Sequence, residues 1–507
     1  MRVVLKPIGT ITIDFQFVKK STQSFLTEIM EHADNYASYV DRLSEHVLVE
    51  RNPDDELVLL ALRHSEYLGR SRTWNKIIEK YRGRNTLYPY YLADSVVGKD
   101  EWRHIVAEMD RVIEECEVDW IKYWYLILQY WLSHSRSIDE YLAEKAETQI
   151  EQLVENNKLL HCYLPQFHYL KSFRTRYEGN IEKAVEIQRE TLRVSREFDD
   201  KYFESRALKD LGALLGFYTY GPEQIKEVRP FLSEARNICE ELGDTRGVLE
   251  VLSHVGGMCN SRGEFSEFKT INLEILNLRE QIGGSPKNEF HNASVASVIL
   301  GEGKEALEWA RMGLEHGSSR TLLLPYLHLD KAMALILLNR LDEAEVEIDI
   351  ARELNIKNGL EIALGFEYMV NGLLERANDD FDSAFHSFES AMEINERNYR
   401  FNRMIYCLML LAETEVACFE PTTENREYEM SGQWMERFDQ LTREKDLPGY
   451  IGIALCLKSE LRLKQGRQKE AQQLISETLR MSSNPSIGFL RERALVLQRA
   501  YIPRDRS

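Results

Sequence analysis

The chain has 507 residues, 43% apolar and 10% aromatic, with a net charge of −19 from 83 acidic against 64 basic side chains. That balance argues against broad binding to a phosphate backbone, which needs a concentrated Lys/Arg surface, and reads as a solvated acidic exterior, with a basic partner as the alternative. The seven cysteines are scattered without a C-x-x-C pair, and the most apolar run, Trp120 to Leu132, is short and broken by Lys122 and Gln129. These features predict a soluble cytoplasmic protein with reduced thiols.

Residues 1–20 differ from everything after them. Thr10, Thr12, Asp14 and Gln16 alternate with Ile11, Ile13, Phe15 and Phe17 behind a Pro7-Ile8-Gly9 turn, which predicts a short β-hairpin. Such a hairpin either caps the first helices or offers an edge for pairing with another protein or a second copy.

Residues 21–160 read as helical and loosely periodic. Phe25, Leu26, Ile29, Met30, Ala33, Tyr36, Ala37 and Val40 fall at the spacing of one long amphipathic helix over 24–49. Helix pairs follow over 53–81, 87–116 and 118–156, read as degenerate repeats. No compact three-helix pattern with a basic second helix stands there, so a DNA-reading helix-turn-helix is not expected.

From 161 to 485 a helix-turn-helix unit recurs. The small or apolar residue anchoring each second helix falls at Phe268, Ala306, Ala344 and Ala384, spaced by 38, 38 and 40 residues. Weaker units are anchored at Ala184, Ala235 and Ala471, with insertions near Gly221 and Pro421. Turn residues Gly179, Gly263, Gly301, Asn339, Asp379 and Gly466 suit the left-handed backbone that ends a helix. Each unit buries only part of its apolar surface, so stacking is obligatory. Residues 486–507 read as a capping helix and tail.

The stretch Tyr368, Asn371, Gly372, Glu375, Asp379, Phe381, Ala384, Phe388, Ala391 resembles the tetratricopeptide repeat, with Tyr368 in place of its Trp and Glu375 in place of its Tyr. The long period is similar to repeats of kinesin light chains, bacterial peptide-signal receptors and large modular transcription activators. The resemblance implies an all-α, right-handed solenoid of helical hairpins whose first helices face a concave groove. Mapped residue by residue, it places Gln166, Tyr169, Phe173, Arg176, Tyr177, Arg206, Lys209 and Phe217 in the groove. His291, Asn292, Val295, Tyr326, Leu329, Asp330 and Met333 follow, then Phe366, Met369, Leu373, Arg376, Tyr406 and Met409. The binding candidates among them are Tyr169, Phe173, Arg176, Arg206, Lys209, Phe217, Asn292, Tyr326, Met333, Phe366, Met369 and Arg376. A carboxylate clamp retains only Arg206 and Lys209, and an asparagine ladder only Asn292.

Catalytic patterns are missing. Gly301-Glu302-Gly303-Lys304 lacks the earlier glycine and following hydroxyl of a phosphate loop, and neither H-E-x-x-H nor G-x-S-x-G occurs. His161, Cys162 and His168 lack a fourth metal ligand nearby. The expectation is a non-enzymatic scaffold or adaptor for a partner protein or peptide, without cofactor or metal, and without direct nucleic-acid or membrane contact. The alternatives are a ligand- or peptide-responsive sensor controlling an effector, and a homo-oligomer built through the hairpin and the last helix.

Overall fold

The structure is a computed structural model, and it describes residues 20–68, 70–81, 109–111, 113–114, 119–135, 140–216, 222–281, 288–316, 323–358, 361–397, 401–419 and 433–501. Among these residues every regular element is a helix. The expected hairpin lies outside the described residues, except that Lys20 opens the first helix. The chain divides into two compact units, Met1–Val251 and Leu252–Ser507.

Unit 1 contains α1 (Lys20–Glu31), α2 (Tyr36–Val49), α3 (Asp55–Tyr67), α4 (Ser71–Tyr81), α5 (Asp119–Ser135) and α6 (Glu140–Asn156). It continues through α7 (Leu164–Tyr177), α8 (Ile181–Glu197), α9 (Lys201–Leu214), α10 (Pro222–Leu242) and the first half of α11 (Thr245–Ser261). The single long helix expected over 24–49 is two helices. The break comes at Asn35, whose extended backbone and side chain, accepting from Ser38 N at 2.8 Å, start a new helix. The pairs expected over 53–81 and 118–156 are α3/α4 and α5/α6; most of the pair over 87–116 lies outside the described residues.

Unit 2 continues with α12 (Phe265–Gln281), α13 (Glu289–Ile299), α14 (Gly303–His316), α15 (Leu324–Leu337), α16 (Leu341–Asn358) and α17 (Glu361–Ala377). Then come α18 (Phe381–Arg397), α19 (Phe401–Ala417), α20 (Gln433–Glu444), α21 (Pro448–Lys464), α22 (Gln468–Met481) and the closing α23 (Leu490–Tyr501). First helices α13, α15, α17 and α19 pack successively side by side, each with its second helix against it.

Small residues set the distance within each pair. A Cβ on Gly372 would lie 2.7 Å from the Phe388 ring, and one on Gly212 would lie 2.6 Å from Leu232, so glycine admits a large side chain from the second helix. Anchors Ala184, Ala235, Ala306, Ala344, Ala384 and Ala471 are all fully buried. Two repeats share a cross-helix bond in which a first-helix serine donates to the anchor carbonyl: Ser172 to Ala184 at 3.0 Å and Ser294 to Ala306 at 2.9 Å. All six expected turn residues have positive φ, and Asp199, Gly243 and Asp446 join them at connections between pairs. Within unit 2 the chain also meets itself at long range. Gly449 N donates to Arg262 O at 3.1 Å, and the Phe265 ring sits edge-on to Tyr450 at 5.6 Å.

Candidate functional site

In unit 1, helices α3, α5, α7, α9 and the start of α11 surround a cavity of about 300 Å³. Its aromatic wall comes from Tyr67, Trp124, Trp131, Tyr169, Tyr202 and Phe203. Tyr67 and Tyr202 stack at 4.6 Å, and Phe203 stands edge-on to Tyr67 at 5.6 Å. Tyr202 donates its hydroxyl to Tyr67 O at 3.0 Å, which fixes the pair. Trp131 remains 37% exposed, so the wall is open at that edge.

Cations frame this wall. The Arg63 guanidinium lies 4.5 Å from the Trp124 ring and donates through Nε to the Tyr67 hydroxyl at 2.7 Å. Arg206 covers the Tyr202 ring at 4.8 Å and is paired at 2.7 Å with Asp244, which is sealed from solvent. Glu250 joins the group, accepting from Arg206 at 3.2 Å, Lys209 at 2.7 Å and Arg246 at 3.1 Å. Burial pushes the Glu250 carboxyl up, but Lys209 and Arg206 outweigh it and hold the pKa at about 2. Burial opposes the Lys209 charge in turn, and Tyr169, Asp210 and Glu250 restore it, leaving the ammonium above its usual range. Burial pushes the Tyr169 phenol up, with Asp210 adding to it. The cations therefore stay charged and the phenol neutral at physiological pH, which suits holding rather than proton transfer.

Two polar atoms on cavity residues have no hydrogen-bond partner among the described residues: the donor Trp124 Nε1 and the acceptor Gln166 Oε1. Each is buried, and a buried polar group without a partner costs about 1–3 kcal/mol.

Unit 2 gathers a second cluster from four successive first helices. His291 of α13 meets Tyr326 of α15 and Phe366 of α17 at 5.5 Å each. Arg403 of α19 lies 5.0 Å from the Tyr326 ring and 5.4 Å from Phe366. Fully buried Asp330 holds His291 Nδ1 at 2.8 Å; burial raises its pKa, opposed by His291. Arg403 Nη1 has no hydrogen-bond partner among the described residues.

Of the expected groove residues, Tyr169 and Arg206 line the unit 1 cavity, and Lys209 is buried behind it on Glu250. Phe173 and Arg176 stack on each other at 4.5 Å without lining it. Phe217 lies outside the described residues. In unit 2 Tyr326 and Phe366 meet, whereas Asn292 donates to Asn272 at 3.0 Å and Arg376 pairs with Glu413 at 3.3 Å. Met333 and Met369 are buried, at 1% and 2% exposure.

The sequence reading missed Arg63, Tyr67, Trp124, Trp131, Tyr202, Phe203, Arg246, Glu250 and Arg403. The available signal was the density of Trp and Tyr over Trp120–Trp131 in a segment lacking clear repeats. His161, Cys162 and His168 do not assemble as metal ligands; Cys162 donates to Leu159 O at 3.1 Å. Cys259, Glu264 and Glu267 do converge within 4.8 Å, but Arg262 pairs with Glu264 at 3.3 Å and Ser486 donates to Glu267.

No protein-family model matches the chain, and no curated protein matches its sequence. Among solved structures it is similar to a Rap protein complexed with competence and sporulation factor, at 12% identity and a TM-score of 0.38, over 78% of this chain and 99% of that one. It is also similar to yeast Tom70, at 14% identity and 0.34, over 91% and 97%. A third is a STAND signal-transduction ATPase with a tetratricopeptide repeat sensor from Pyrococcus horikoshii, at 12% identity and 0.31, over 96% and 67%. At such identities and TM-scores these likenesses carry nothing about what this chain binds.

Proposed function

We propose that the protein is a non-enzymatic scaffold that holds a segment of a partner polypeptide, with one anchor side chain in the unit 1 cavity. The observation that carries this reading is one cavity walled by six aromatic side chains and framed by the Arg63 and Arg206 guanidinium groups. The aromatic wall suits an apolar or aromatic anchor, and a cavity of about 300 Å³ is at the small end for a whole ligand. The Arg403, Tyr326 and Phe366 cluster is a second contact for the same kind of partner. No helix among the described residues is long and apolar enough to cross a membrane. The buried thiols of Cys162, Cys239, Cys259, Cys407 and Cys456, none in a disulfide, support a reducing, cytoplasmic setting.

The test is affinity capture from the native cell with the full chain, comparing wild type with Tyr169→Ala and with Val346→Ala, an exposed position in unit 2. Loss of one specific polypeptide in the first variant only is the expected result. Equal capture by all three would sink the cavity assignment.

The sensor reading draws on the contact inside unit 2 between Gly449 and Arg262, supported by Phe265 on Tyr450 and on Phe489 at 5.8 Å. A ligand that opened this contact would change the unit's dimensions. Small-angle scattering across a peptide panel checks it, and an unchanged radius with every bound peptide would count against it.

A further inference from the structure

Helix α7 has two working faces. Gln166, Tyr169 and Leu170 face the cavity already described, whereas Leu164, Phe167, His168 and Lys171 form the floor of a separate trough of about 540 Å³ between α6 and α8. The floor is apolar, and Ile150, Val154 and Ile187 from the flanking helices extend it. Of these side chains Ile150 is fully buried, and Val154 and Phe167 are 6% and 2% exposed.

The two rims are acidic and regular. On α6, Glu151 and Glu155 stand one helical turn apart; on α8, Glu186 and Glu190 do the same. All four are exposed. Three of these acids already hold a cation: Glu151 holds Lys171 at 3.1 Å, with Glu147 on the same lysine at 2.6 Å, Glu186 holds Lys183 at 2.9 Å, and Glu190 holds Arg193 at 2.7 Å. Glu155 has no ion-pair partner among the described residues. In the floor, His168 Nδ1 is buried with no hydrogen-bond partner among the described residues.

We propose that this trough docks an amphipathic α-helix of a partner protein, with an aliphatic stripe facing the floor and Lys or Arg along both flanks. An apolar floor between two charged rails is the arrangement that receives one helix face in a groove. The i, i+4 spacing of each rail is about 6 Å along its helix, the same spacing as i, i+4 cations on a bound helix, so flanking cations can meet successive carboxylates. Four rim acids against two lysines leave the lining net negative, with Glu155 the acid that holds no cation, and this favours a basic partner over an acidic one. The surface is separate from the aromatic cavity, so it stands or falls independently of the polypeptide held there.

The probe is a labelled synthetic helix of about 18 residues, five turns, built from Leu, Ala and Lys with leucines at i, i+3, i+4 and i+7. It is titrated into the full chain by fluorescence anisotropy. Saturable binding is expected, with about tenfold weaker affinity, equivalent to about 1.4 kcal/mol, for Glu155→Lys/Glu186→Lys. The control reversal Glu393→Lys/Glu396→Lys, at exposed positions on α18, is expected to change affinity less than about twofold. Ile187→Asn, with folding checked by circular dichroism, is expected to weaken binding without a change in net charge. Equal weakening by both reversals would reduce the effect to general attraction by an acidic protein and overturn the proposal. Equal binding of a Glu-for-Lys peptide, or no saturable binding, would overturn it too. A wild-type dimer dissolved by the trough reversal would assign the surface to a second copy instead.

Discussion

Arg206 donates from Nη2 to Asp244 Oδ2 at 2.7 Å, with the two side chains 5% and 0% exposed. The same carboxylate caps α11 through Gly247 N at 2.9 Å, so one buried group starts a helix and neutralises the cation beside the cavity. Removing one partner of a buried pair strands the other charge. Asp244→Ala is therefore expected to destabilise unit 1 by about 3–5 kcal/mol, read as a lowered urea midpoint. Lys183→Ala, which removes an exposed surface pair, is expected to leave the midpoint in place.

The Glu250 carboxyl sits at about 2 in the folded protein, against about 4.3 for an unfolded glutamate. Because the folded value is the lower one, its contribution is complete above about pH 4.3 and is lost as pH falls toward 2. Melting temperatures of wild type should fall across that window, and Glu250→Gln should flatten the fall. An equally steep decline in the variant would assign the acid sensitivity to other carboxylates.

Glycines that look alike in sequence should differ in cost. A Cβ on Gly449 would lie 1.9 Å from Gly263 O, backbone that cannot step aside. Gly466 has positive φ but open space around its Cβ position. Gly466→Ala is expected to cost about 1–2 kcal/mol, the left-handed backbone penalty. Gly449→Ala should cost more, with faster hydrogen exchange at the Gly449 amide bound to Arg262 O. The reverse order would contradict the contact inside unit 2.

Ser172→Ala and Ser294→Ala remove the same cross-helix bond from two repeats. Each is expected to cost about 1 kcal/mol, because a buried carbonyl loses its extra donor while retaining its helix partner. Thermal melts of the single and double variants check this, with near-additive losses expected for sites that share no partner.

The repeat was legible because its signals are local. Positive φ at Gly179, Asn339 and Asp379, and full burial of Ala306, Ala344 and Ala384, follow from turn chemistry and from the spacing of small residues. The break at Asn35 was hidden because the apolar positions keep helical spacing across it while the side chain caps a new helix. Much less of the candidate site was legible. Met333 and Met369 occupy groove positions in the repeat pattern, yet both are buried. Arg206 carries the chemistry of an exposed recognition residue and is buried on Asp244, a partner 38 residues away that no local pattern pairs with it. Trp124 and Trp131 come from a segment of weak periodicity, and their meeting with Tyr202 and Phe203 depends on tertiary packing.

The central claim, a partner polypeptide seated at the unit 1 cavity, is tested most directly by site-specific photo-crosslinking in the native cell. A benzophenone amino acid replaces Trp131, at the open edge of the aromatic wall, and in a parallel chain replaces Val346, which is 57% exposed on α16. A discrete adduct from position 131, carrying one polypeptide identified by mass spectrometry and lost with Tyr169→Ala, is the predicted result. No adduct from position 131, or the same adducts from both positions, would contradict the account.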